Sequence, residues 1–146
     1  MLAGCGAAPP PPPVASFGDF TPPAAYAHFL ACPSQYCLAA PDEITPLLKL
    51  PAEKLRDIVR AALDAQPRTE LVSEANEGLR LVYRQSPALI GSTDTVTVEI
   101  VDADEGISAL VLYSQTDAPS SDRATQAVRV RRWLDAIDRA VVAAVS

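Results

Sequence analysis

The order of the periodic segments is the feature that most constrains the fold of this chain. Two segments with apolar residues at helical spacing, one beginning at Pro51 and one following Ser121, enclose four segments with strand character. The four predicted strands cover residues 69–75, 78–85, 94–101 and 107–114, and the first two are joined by a typical hairpin turn around Gly78. This order predicts a two-layer α+β domain, in which a four-stranded antiparallel sheet carries both helices on one face.

Two other features predict how this sheet is covered. Leu110, Val111 and Leu112 follow one another in the last predicted strand, which indicates that this strand is buried on both faces, at least in part. Residues 14–31 contain all three phenylalanines of the chain. Because aromatic side chains at this density normally pack against other groups, we expect this segment to lie across the domain.

The first residues of the chain resemble the site at which bacterial lipoprotein signal peptides are cut and lipidated. The pattern is Leu2-Ala3-Gly4-Cys5, and a proline run from residue 9 to 13 follows it. Only Met1 precedes the pattern, so we expect the apolar part of the signal to be missing from this sequence. The proline run favours an extended spacer, and residues 6–14 would reach roughly 25–30 Å. The alternative is a chance run of small residues.

This interpretation divides the chain into a tether over residues 1–31 and a single α+β domain over residues 32–146. The cysteine count agrees with it, because an acylated Cys5 leaves Cys32 and Cys37 to pair in an oxidising compartment. Their spacing differs from that of thioredoxin-type redox motifs, so we predict a structural disulfide. The alternative is a cytoplasmic protein in which both thiols are free. His28 is the only other candidate zinc ligand, so no zinc site is expected.

Composition excludes several classes of protein. The chain has 146 residues, 49% of them hydrophobic, a net charge of −6 and a pI near 4.6. Such an acidic chain is not expected to bind nucleic acid, because neutralising phosphates requires a basic surface. No apolar run approaches the roughly 20 residues that a membrane-spanning helix needs. We expect a small acidic domain without a cofactor.

Polar residues offer one candidate site and no recognisable catalytic motif. A polar cluster able to hold an anionic group bidentately would form if the following residues converged. These residues are Arg80, Arg84, Asp94, Asp122 and Arg129. The alternative is a solvated charged face. No serine has nucleophile-elbow glycines around it, which favours a protein that is not an enzyme without deciding the question. The acidic turn at residues 102–105 lacks the later ligands of a calcium loop, so no metal site is predicted.

The order of motifs also resembles a known family. The matching features are Cys32, Pro33 and Cys37, the helix end at Pro67-Arg68-Thr69, the loop from Ile90 to Asp94, Ser121-Asp122, and the arginines Arg129, Arg131 and Arg132. With these, the chain resembles the bacterial and plastid proteins grouped as domain of unknown function fourteen-ninety-nine. The chain departs from the family at Asp94-Thr95, where paired acids are usual, and at Gln126-Ala127, where an Asn-Arg pair is usual. The resemblance implies a fold but no reaction.

Three functions are compatible with these features. The first is a non-catalytic lipoprotein of the bacterial cell envelope, anchored to the bilayer through Cys5, facing the periplasm and binding an envelope protein or organising an assembly. The second is a module that binds a small molecule or a lipid in a cavity between the helices and the sheet. The third is an enzyme of unrecognised type, for which titratable residues in a deep pocket would be the sign.

Overall fold

The computed structural model describes residues 14–119 and 122–145. Cys5, the proline run and Ser121 lie outside these residues. The strands are β1 (His28–Cys32), β2 (Glu43–Ile44), β3 (Thr69–Ala75), β4 (Arg80–Gln85), β5 (Asp94–Asp104) and β6 (Ile107–Thr116). The helices are α1 (Ala52–Asp64) and α2 (Arg123–Val145), and a single 3-10 turn (Asn76–Gly78) joins β3 to β4.

The prediction of a four-stranded antiparallel sheet is wrong. The strands form one six-stranded mixed sheet in the order β2-β1-β6-β5-β4-β3. Strands β3 to β6 are the antiparallel meander expected from the sequence, but β1 adds antiparallel to β6, and β2 then adds parallel to β1. The domain is therefore α+β with two helices, and the parallel β1–β2 pair makes its sheet mixed.

The two missed strands lack the features on which strand prediction depends. Strand β1 is buried on both faces from Phe29 to Cys32, so it shows no alternation of apolar and polar residues. Strand β2 has only two residues. The segment that follows β2 is held by Leu48, whose backbone exchanges two hydrogen bonds with Ser108 at the start of β6. These strands form through long-range pairing, which the local sequence does not encode.

Both helices pack on one face of the sheet. Helix α1 buries Leu55, Val59 and Leu63. Pro51 has an extended backbone and is the N-cap residue of α1, so the first helical residue is Ala52. Helix α2 buries Val130, Trp133 and Ile137. These side chains form one core with alternate residues of β4, β5 and β6, and the rings of Trp133 and Tyr83 meet edge to face with centroids 5.9 Å apart.

The opposite face of the sheet is covered by residues 14–20, which we call the N-terminal strap. Phe17 is buried against Tyr113 and Leu30, as expected from the density of aromatic residues. Arg80 holds the strap: its guanidinium lies 5.3 Å from the Phe17 ring centroid, and its Nη2 donates a hydrogen bond to the Val14 carbonyl at 2.7 Å. Strand β6 is therefore buried on both faces, which confirms the expectation for its apolar run.

Arg80 also belongs to an ion pair on the strap face. Its Nη1 lies 2.9 Å from Oε1 of Glu99, and the second carboxylate oxygen of Glu99 accepts a hydrogen bond from the hydroxyl of Tyr36. Burial, and then the hydrogen bond to Glu99, raise the pKa of Tyr36 to about 12. Burial likewise raises the pKa of Tyr113 on the same face. Tyr36 thus ties the loop between Cys32 and Cys37 to Glu99 of β5, and Tyr113 packs against Phe17 of the strap.

A disulfide joins Cys32 and Cys37, with a sulfur–sulfur distance of 2.03 Å. Cys32 ends β1 and is fully buried. Leu38, which directly follows Cys37, donates a hydrogen bond from its amide to the Phe17 carbonyl of the strap at 3.0 Å. The disulfide therefore supports the same face of the sheet as Arg80. Neither of the described helices has an apolar stretch long enough to cross a membrane.

Candidate functional site

A cleft of about 610 Å³ lies between the end of β4, the start of β5 and the first turns of α2. The loop of residues 86–93, which joins β4 to β5, forms one wall, and residues 122–133 form the other. At this end of β4, β5 and β6, the helix-facing positions change from apolar to polar side chains. Polar side chains then continue the same inward-facing rows, so the core opens into a polar cavity.

The floor of the cleft is a buried ion pair. Nη1 of Arg129 lies 2.6 Å from Oδ2 of Asp94, and only 13% and 7% of the two side chains are exposed. Gln126 also donates to the Asp94 carboxylate at 3.3 Å. Arg129 donates further to Ser114 Oγ at 3.3 Å and to the side-chain oxygens of Gln126 and Gln85. The two charges are thus compensated by each other and by hydrogen bonds, as buried charges require.

The remaining polar atoms of the floor are paired as well. Ser114 donates from Oγ to Gln126 Oε1 at 2.7 Å, and Gln85 donates from Nε2 to the Pro67 carbonyl at 3.0 Å. These side chains link β4, β5, β6 and α2 into one network. A network that is satisfied in this way keeps its side chains in fixed positions.

Trp133 also lines the cleft, but its polar atom differs from those of the floor in having no partner among the described residues. Its side chain is fully buried, and its indole Nε1 has no hydrogen-bond partner among the described residues. A buried indole N–H normally finds an acceptor, because leaving a buried donor unpaired costs roughly 1–3 kcal/mol.

Two exposed arginines stand at the mouth of the cleft. Arg68 follows α1 and donates from Nε to the carbonyl of Ser86 at 3.2 Å, which leaves its terminal nitrogens without a carboxylate in the described part of the chain. Arg132 lies on α2, one residue before Trp133. Eight of the ten arginines in the chain pair with a carboxylate of the described residues. The two that do not are Arg68 and Arg132, and both line this cleft.

The structure brings together three of the five residues of the predicted polar cluster. Asp94, Asp122 and Arg129 line the cleft, and Asp122 accepts a hydrogen bond from Thr125 at 2.8 Å. Arg80 and Arg84 do not reach it, because they occupy the outward-facing positions of β4. Arg80 holds the strap, as described above.

Arg84 has a separate structural partner. Its Nη2 pairs with Asp117 at 2.6 Å, and the other oxygen of Asp117 accepts a hydrogen bond from Thr95. This pair joins β4, β5 and the segment after β6 on the sheet face away from the helices. The position of a residue within the strand therefore decides which arginines can enter the cleft, since side chains alternate between the faces.

Sequence reasoning missed the neutral members of the site, although the pattern contained a signal for them. Gln85 continues the inward row of Leu81 and Tyr83, and Ser114 continues the inward row of Leu110 and Leu112. A polar residue at the next inward position of two neighbouring strands indicates a buried polar network, and Asp94 does the same on β5. The sequence points to Gln126 and Arg68 only through the family resemblance.

A second, smaller cavity of about 270 Å³ lies between α2 and the segment from Glu43 to Leu48. Leu134, Ile137 and Val141 form its apolar wall, and Arg131 spans its edge by pairing with Glu43 at 3.3 Å. No group of three or more His, Cys, Asp or Glu side chains in the described part of the chain is arranged to hold a metal ion.

A scan against models of protein families and a search of curated proteins both found no match to this chain. The resemblance to the domain of unknown function fourteen-ninety-nine therefore remains a prediction.

Proposed function

We propose that this domain is a non-catalytic binding module whose ligand is a small molecule with an anionic group, bound in the cleft between the loop of residues 86–93 and α2. The observation that carries the proposal is the placement of Arg68 and Arg132. Every other arginine of the chain has a carboxylate partner, whereas these two line one cavity with no such partner among the described residues. Two guanidinium groups at one cavity are suited to a carboxylate or a phosphate group.

The floor of the cleft supports binding rather than catalysis. Asp94, Arg129, Ser114 and Gln126 are hydrogen-bonded to one another, so their polar atoms stabilise the cavity and are not left open to attack a substrate. A fixed floor below a charged rim provides a preformed site, which reduces the entropic cost of binding.

Thermal unfolding with small anions tests this proposal. Inorganic phosphate and glycerol phosphate should raise the melting temperature of the protein, whereas glycerol at the same concentration should not. A ligand at one hundred times its Kd stabilises the folded state by about 2.7 kcal/mol. Trp133 is the only tryptophan, so its fluorescence reports binding in the cleft directly.

A matched pair of variants separates the site from a general charge effect. Arg68→Gln and Arg132→Gln should each weaken the phosphate-induced shift, because each removes a cation from the cleft. Arg139→Gln removes the same charge from α2 outside the cleft and should leave the shift unchanged. Equal losses in all three variants, or no shift with any anion, would contradict the proposal.

The location of the protein is a second proposal, carried by the sequence. We propose a lipoprotein of the bacterial cell envelope, anchored to a bilayer through an acylated Cys5, with the domain on the periplasmic side. The intact and N-terminal peptide masses, measured after expression in a bacterium from the native reading frame, test this directly. A diacylglyceryl group on a peptide that begins at Cys5 is expected. An unmodified chain that retains Met1 would overturn the proposal and favour the cytoplasm.

A further inference from the structure

The loop that forms one wall of the cleft carries two aliphatic side chains with almost no cover. Leu89 is 93% exposed and Ile90 is 98% exposed, higher than any other large apolar side chain of the described residues. Ile90 also lines the cleft, and the half-exposed Val128 lies on the opposite wall. The mouth of the cleft therefore combines apolar side chains with the guanidinium groups of Arg68 and Arg132.

This combination of groups restricts the partner. Two aliphatic side chains at the tip of one loop are far from the roughly 800 Å² per partner that a stable protein–protein interface buries. Insertion into a bilayer interface needs less, because a few apolar side chains and neighbouring cations act together. In such an arrangement, surface arginines pair with lipid phosphates and apolar side chains lie among the acyl chains.

We propose that the mouth of the cleft docks on an anionic phospholipid surface, with Leu89 and Ile90 inserted below the headgroups and a lipid phosphate held by Arg68 and Arg132. This inference rests on the proposed anion site and names the source of its ligand. The net charge of −6 is spread over the chain, and charges beyond about 8 Å from the contact are largely screened at physiological ionic strength. Within the cleft, Arg68, Arg129 and Arg132 outnumber Asp94 and Asp122.

Vesicle flotation tests the inference with the full chain carrying Cys5→Ser, so that no acyl group contributes to binding. The protein should float with vesicles of phosphatidylcholine and phosphatidylglycerol, and not with phosphatidylcholine alone. The double variant Leu89→Ser/Ile90→Ser should bind at least about tenfold more weakly, because its inserted apolar area is lost. Leu38→Ser/Leu47→Ser, which changes two exposed leucines elsewhere, should bind like the parent chain.

Charge variants complete the flotation experiment. Replacing Arg68 or Arg132 with Gln should weaken binding to the anionic vesicles about fivefold for each arginine. Arg139→Gln is the control of equal charge. Unchanged flotation of Leu89→Ser/Ile90→Ser, or equal binding to both vesicle types, would overturn the inference. So would a concentration-dependent dimer that this double variant abolishes, because the loop would then be an interface between two copies of the chain.

Phosphate distinguishes a failure of this inference from a failure of the proposed function. If phosphate stabilises the parent chain through Arg68 and Arg132 but no vesicles are bound, the cleft takes a free anion and the lipid inference is wrong. If neither phosphate nor vesicles bind, both are wrong. Under the inference, Leu89→Ser/Ile90→Ser retains its response to phosphate, because the loop tip contacts acyl chains and not the anionic group.

Discussion

Removal of Arg129 tests whether its ion pair with Asp94 stabilises the floor of the cleft. Arg129→Met retains an unbranched side chain of similar length but removes the guanidinium that faces Asp94 at 2.6 Å. Asp94 then keeps Gln126 as its side-chain donor, at 3.3 Å, and its carboxylate is only 7% exposed. The variant therefore buries a carboxylate without a counter-ion.

The expected loss of stability follows from this arrangement. Breaking a buried ion pair by removing one partner costs about 3–5 kcal/mol, most of it from the uncompensated charge that remains. Asp94→Asn should cost less, because the Arg129 that it leaves is more exposed than Asp94 and keeps its hydrogen bonds to Ser114 and Gln126. The double variant Asp94→Asn/Arg129→Met should be more stable than the sum of the single effects predicts, with a coupling energy of roughly 0.5–3 kcal/mol.

Urea unfolding of the four proteins measures these energies. Circular dichroism should accompany Trp133 fluorescence, since Trp133 lies at the altered site and its signal in the folded state will change. Arg139→Met is the control: its side chain is 74% exposed and pairs with Asp135 across one helical turn, so it should cost less than about 0.5 kcal/mol. A loss below about 1 kcal/mol for Arg129→Met, or additive effects in the double variant, would refute the role given to this pair.

Three further predictions concern the face that the strap covers. The pKa of Tyr36 is about 12 in the folded protein and 10.0 when unperturbed. The unfolded chain therefore releases this proton at lower pH, and the free energy of unfolding falls between pH 10 and pH 12. Tyr36→Phe should make the midpoint of urea unfolding less dependent on pH in this range. Reduction of the Cys32–Cys37 disulfide should lower the free energy of unfolding by about 2 kcal/mol, and equal stabilities before and after reduction would contradict this. Phe17→Ala should lower the free energy of unfolding in urea by about 3–5 kcal/mol, because Phe17 is buried. A loss within the roughly 0.5 kcal/mol of an ordinary surface substitution would mean that the strap does not pack on the sheet.

The parts of the fold that the sequence predicted are those with local periodicity. Alternation identified β4 and β5, and helical spacing identified α1 and α2, because each pattern repeats within a few residues. Strand β6 was predicted from its long apolar run, whereas β1 was missed because its five residues neither alternate nor form such a run, and because most of them lie at the end of the segment assigned to the tether. Its pairing with β6 joins residues more than eighty positions apart, and no local signal reports such a contact.

The sequence predicted only part of the candidate site. Asp94 and Arg129 are charged residues that the sequence suggests could converge, and the structure brings them into contact. Arg80 and Arg84 were predicted to join them but share the outward face of β4, because the sequence does not state which face of a strand the cleft adjoins. That assignment needed the position of α2, which is a tertiary property.

The attachment of the strap has a mechanical consequence. The strap is fastened by Arg80 at the start of β4, whereas the cleft lies beyond the other end of that strand. Tension applied at Val14 is therefore first borne by the guanidinium of Arg80, the ring of Phe17 and the hydrogen bond from the Leu38 amide next to the disulfide. These few contacts should yield before the hydrogen-bonded ladders of the central strands. A pull on the N-terminus would lengthen the chain by peeling the strap and leave the shape of the cleft unchanged.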